Sequence, residues 1–109
     1  MYTKQEIFDK TLSSYYSKLP KEELAKVRII IHDFITSIDA AIVQASDEGY
    51  FTAYCSLATS KFNRNRHVKI CIQEVYAYYT KLGFDIKVKR ETDDTGSYRI
   101  CVTISWDYI

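Results

Sequence analysis

Hydrophobic positions change period three times along this chain of 109 residues. Ile7, Phe8, Leu12, Tyr15 and Tyr16 recur near helical spacing, which predicts a short helix over 3–18. Leu19-Pro20 ends it, because the residue before a proline is pushed out of the α region. Pro20 then stands ahead of a second helix, predicted over 21–46, with Glu22 and Glu23 in its first turn as the dipole prefers. Leu24, Val27, Ile31, Phe34, Ile38, Ala41 and Ala45 alternate steps of three and four, an apolar seam kept for three heptads. Ile30, Ile35 and Ile42 widen that seam, as a helix packed on a sheet requires. Asp47-Glu48-Gly49 is the stop.

From Tyr50 the period becomes two. Phe51, Ala53, Cys55 and Leu57 fall on one face, predicted to look inward, and Tyr50, Thr52, Tyr54 and Ser56 on the other. A second strand over 84–90 alternates Phe84, Ile86 and Val88 with Asp85, Lys87 and Lys89. A third, over 98–106, alternates Tyr98, Ile100, Val102, Ile104 and Trp106 with Arg99, Cys101, Thr103 and Ser105. The run ETDDTG between them carries turn chemistry, and Asp93 and Asp94 fit that role, so these two strands should form an antiparallel hairpin.

A third helix, predicted over 64–82, joins the first strand to the hairpin through Val68, Ile72, Val75, Tyr79 and Leu82. Gly83-Phe84 reads as its stop, with Phe84 returning to the helix. The order is α-α-β-α-β-β. The expected fold is α+β: a three-stranded, mostly antiparallel sheet on two long helices with an extra N-terminal helix. The chain is too short for two cores, so 1–109 reads as one domain, with 1–19 the added helix and 21–109 the core. Which strand neighbours 50–57 is open from sequence.

Charge adds one feature. The net charge is +1, but residues 1–48 carry −2, residues 49–90 carry +6 and residues 91–109 carry −3. The stretch SKFNRNRHVK, residues 60–69, holds Lys61, Arg64, Arg66 and Lys69, and no Asp or Glu falls between Gly49 and Gln73. Asn63 or Asn65 suits the N-cap of the helix that follows, which sets Arg64, Arg66, His67 and Lys69 around its first turn. Acidic side chains are the ones a helix start favours, so a basic cluster there points to an anion: a phosphate or an acidic partner surface. The opposing reading is a solvated helix start. The anion- or partner-binding set is Lys61, Arg64, Arg66, His67 and Lys69, with outward Tyr50 and Tyr54 beside them.

The chemistry of catalysis is sparse. There are two histidines, and His32 and Asp33 sit about 100° apart on their helix, so they are no ready pair. No Gly-rich phosphate loop, nucleophile elbow or His-Glu-x-x-His motif occurs, and no cofactor or metal is expected. Cys55, Cys71 and Cys101 are odd in number and lack Cys-x-x-Cys spacing, which suits reduced, buried thiols in a cytoplasmic protein. The N-terminus has no apolar signal region, and no uninterrupted 18-residue apolar run predicts a membrane span.

The segments AAIVQASDEGYFTAYCSL, YYTKLGFDIKVKR and YRICVTISW, within residues 38–106, resemble small accessory proteins of tailed bacteriophages, most recognisably in the "LGF … ISW" ending. The resemblance implies an accessory factor of infection that binds host or viral molecules. Together with the missing catalytic set and the local +6 segment, the expected function is a non-enzymatic protein that binds and inhibits or redirects a host macromolecule in the host cytoplasm through the basic helix-start patch. It transfers no site residues, because the shared positions are core and turn positions. The alternatives are a homo-oligomeric sponge for an anionic nucleotide signal of host defence, and an RNA or single-stranded nucleic-acid binding module that stacks bases on Tyr50 and Tyr54. A homo-oligomer, formed through the long helix or a sheet edge, is expected for the first two.

Overall fold

A computed structural model of the protein describes residues 1–58, 67–92 and 98–109. Lys61, Arg64 and Arg66, both candidate N-cap asparagines, and Asp93, Asp94 and Gly96 of the hairpin turn lie outside the described residues. The elements run α1 (Lys4–Ser17), α2 (Lys21–Asp47), β1 (Thr52–Ala58), α3 (Val68–Lys81), β2 (Asp85–Thr92) and β3 (Tyr98–Ser105). The fold is α+β.

The helices start and stop for local reasons. Thr3 caps α1 by accepting from the Glu6 N–H, and its own hydroxyl donates to the Glu6 carboxylate. Helices α2 and α3 close with the same bonds. Tyr50 N–H reaches Ala45 O and Gly49 N–H reaches Ser46 O; Phe84 N–H reaches Tyr79 O and Gly83 N–H reaches Thr80 O. Both are Schellman closures, and they require the left-handed backbone that Gly49 and Gly83 supply at φ +86° and +94°. The Phe84 ring then meets the Tyr79 ring edge-on, 6.0 Å between centroids.

The sheet order is β1-β3-β2, antiparallel throughout. The last strand of the chain is thus the central one, and β1 and β2 run in the same direction on either side of it. Ala53 and Leu57 of β1, Ile100, Val102 and Ile104 of β3 and Ile86 of β2 turn to one face and are buried. On that face α2 lies against β1 and α3, and α3 against β2. Val27, Ile30, Phe34 and Ile38 from α2 and Val68, Cys71, Val75 and Tyr79 from α3 complete the core. Each such large side chain contributes about 1.5–3 kcal/mol by leaving water. The other face carries Thr52, Tyr54, Lys87, Lys89, Arg99 and Thr103, and no described helix packs on it. The molecule measures 44 × 44 × 21 Å, the thickness of one sheet and one helix layer.

Several expectations shift. Phe51 precedes the strand and is 63% exposed, on the cleft beside the C-terminal end of α2. Leu82 is the C-cap of α3 and is exposed, since the helix has run past the sheet. The α3 seam is carried instead by Cys71, one residue before Ile72. Helix α1 buries no residue fully: Phe8 and Leu12 lie over the groove between α2 and α3, and Tyr16 and Leu19 pack at the core edge. Helix α2 is long and apolar enough to cross a bilayer by length and composition alone. Its stripe of Val27, Ile30, Phe34 and Ile38 is taken up by the core instead.

Candidate functional site

The start of α3 differs from its expected form. The helix begins at Val68, and its N-cap is His67 in αR geometry with no side-chain cap. No acidic residue stands in the first turn, and Lys69 there is exposed. His67 was expected on the surface of a basic cluster and is only 4% exposed. The reason lies 52 residues away: the Tyr15 hydroxyl of α1 is hydrogen-bonded to His67 Nδ1, with the two rings edge to face. His67 Nε2 lies 3.5 Å from Glu23 Oε2 of α2. A ring carrying its proton on Nε2 would accept from Tyr15 at Nδ1 and aim that proton at the carboxylate. His67 therefore ties α1, α2 and α3 together, and its two nitrogens are turned to protein groups.

Two clefts flank this point. The first, about 640 Å³, lies between α1 and the start of α3. Its described lining includes Lys10, Thr11, Ser14, Tyr15, Lys18 and His67 and contains no carboxylate. The second, about 470 Å³, lies between α3 and β2 and is lined by Lys69, Ile72, Gln73, Tyr76, Val88 and Arg90. Its described lining too offers two cations and hydrogen-bonding groups and holds no carboxylate. His67 and Lys69 thus open into different clefts, on opposite sides of one helix start.

Tyr50 and Tyr54 are elsewhere. They line a third cleft, with Ala41, Gln44 and Glu48 of α2, and Tyr54 projects 77% exposed from the sheet face opposite the helices. None of the described clefts is lined by both the helix start and these tyrosines. Sequence reading missed Lys10, Lys18 and Arg90. Lys10, Ser14 and Lys18 stand four residues apart on one ridge of α1, a signal visible in the sequence. Arg90 carried none, because its approach to Lys69 depends on β2 packing beneath α3.

The remaining reactive groups are quiet. Burial, then the nearby Glu74 charge, pushes the Cys71 thiol up to about 12, and burial raises Cys55, so both are held as thiols. Tyr16 donates to Glu74 Oε2 at 2.8 Å, and burial followed by that bond raises its pKa. His32 is exposed at the surface. Among the described residues no group of three or more His, Cys, Asp or Glu side chains could hold a metal ion. Comparison of the chain with protein-family models, with curated proteins and with solved structures found no match in any of the three.

Proposed function

We propose that the protein is a non-enzymatic binding protein of bacteriophage accessory type, which engages an acidic surface of a host macromolecule in the cytoplasm and inhibits or redirects it. The observation that carries this reading is the pair of clefts flanking the start of α3 whose described linings hold cations and no carboxylate, Lys10 and Lys18 in one and Lys69 and Arg90 in the other. The basic run of Lys61, Arg64 and Arg66 leads directly into that helix start. A helix N-terminus adds its own positive dipole end. Arginine forks and lysine ammonium groups together match carboxylate and phosphate surfaces.

The test is affinity capture from bacterial lysate with the wild-type chain and with Lys69→Glu/Arg90→Glu and Lys10→Glu/Lys18→Glu variants. A partner held by the wild type and released by the charge reversals supports the reading. Recovery of nothing, or a partner indifferent to both reversals, removes it.

The α1/α3 cleft also favours a second reading, a sponge for an anionic nucleotide. Its volume of about 640 Å³ falls within the ~300–1,000 Å³ of small-molecule sites. A ligand at a hundred times its Kd stabilises by ~2.7 kcal/mol. In a chain of this size that is roughly a 10–20 °C rise in Tm. A thermal-shift screen of mono- and cyclic nucleotides with no rise removes this reading and leaves the first standing.

A further inference from the structure

We infer that the edge of β1 away from β3, with which no described strand pairs, is where a second copy of this chain docks, strand against strand and antiparallel. The two sheet edges are built differently. Edge β2 carries Asp85, Lys87, Lys89, Arg90 and Glu91 among its eight residues, the charge by which natural sheets discourage pairing. Edge β1, TAYCSLA, carries no charge at all. The Trp106 N–H bonds to Phe51 O at 3.1 Å, which fixes the alternation along β1. Odd-numbered residues bond to β3, so Thr52, Tyr54 and Ser56 present their N–H and C=O groups outward.

A two-fold partner meets this edge with matching faces. Full overlap of the seven residues centres the pairing on Cys55. That sets Ala53 opposite Leu57 on the helix side and Tyr54 opposite Ser56 on the other side. Apolar surface is concentrated at the same edge, where Tyr50, Phe51 and Tyr54 are all exposed and line the cleft beside α2. Three aromatics of about 200 Å² each, roughly two-thirds exposed, offer on the order of 400 Å² per copy. That is about half of the ~800 Å² per partner in a standard interface, before the strand backbone is counted. The contact is isologous, so it closes at two copies. It does not depend on the proposed anion-binding role, because β1 lines neither basic cleft.

Sedimentation across a dilution series reads the outcome. Wild type is expected at twice the chain mass. Ser56→Lys sets two lysines within diagonal reach across the pair, and Tyr54→Arg does the same from a position too exposed to disturb folding. Both variants are expected at the single-chain mass with unchanged circular dichroism. Lys89→Ser on the β2 edge is expected to remain a dimer. A monomeric wild type, a dimer that survives both β1 substitutions, an effect confined to Lys89→Ser, or an open-ended assembly overturns the inference.

Discussion

The Tyr79 hydroxyl of α3 lies 2.6 Å from Asp39 Oδ1 and 3.1 Å from Ile35 O of α2, a polar clasp at the end of a fully buried ring. It fixes the two core helices in register where their apolar stripes alone would tolerate sliding. Tyr79→Phe keeps the ring and removes the clasp, at an expected cost of ~1–2 kcal/mol in urea denaturation. Asp39→Asn, which still accepts a hydrogen bond, is expected to cost less than half as much.

Alkaline pH should loosen the same core. Tyr79 is raised by burial and then by Asp39, Tyr16 by burial and then by Glu74, and Cys71 by burial and then by Glu74. All three shifts are upward, so the folded chain holds these protons longer than the unfolded chain does. Their stabilisation is complete below the unfolded values, 9.0 for the thiol and 10.0 for the phenols. It is lost as pH climbs through the folded ones. Urea midpoints are expected to be unaffected by these groups up to about pH 9 and to fall beyond it. Tyr79→Phe should flatten that fall.

Gly83 closes α3 at φ +94°, and a Cβ there would meet no neighbouring atom. The cost of Gly83→Ala is therefore backbone strain alone, about 1–2 kcal/mol, and Gly83→Asn should recover part of it. Thermal denaturation of the two variants gives the comparison.

Helix α1 should be the least stable element, because it buries no residue fully and is held by Tyr15 on His67 and Tyr16 on Glu74. Hydrogen exchange is expected to be faster in α1 amides than in β3 or α3. Tyr15→Phe and Tyr16→Phe should each speed exchange in α1 by roughly fivefold, the equivalent of ~1 kcal/mol, and leave β3 unchanged.

The legible parts of this fold are those set by near neighbours in sequence. The Val27–Phe34–Ile38 stripe, the Ile100–Val102–Ile104 alternation and the Gly83-Phe84 stop all depend on residues within a few positions of one another. The partner of β1 was not legible, because it rests on pairing with a strand some 40 residues onward, and period-two alternation is the same beside either neighbour. The start of α3 was placed several residues early, since asparagine is a good cap and His67 in αR geometry leaves no compositional mark. Burial of His67 needed Tyr15 from the far end of the chain. The candidate site was legible as a charge imbalance and not as a shape: Lys69 stood in the basic run, while Lys10, Lys18 and Arg90 joined through packing.

The central position of β3 has a consequence for synthesis. Strand β1 emerges from the ribosome with its partner about 40 residues behind it, which at ~5–20 residues per second is a wait of roughly 2–8 s. During that interval both edges of an uncharged strand lack their partner, and α2 is the element already made that packs against it. Because β3 is the strand that both β1 and β2 pair with, the sheet can close only once the last strand of the chain has been made.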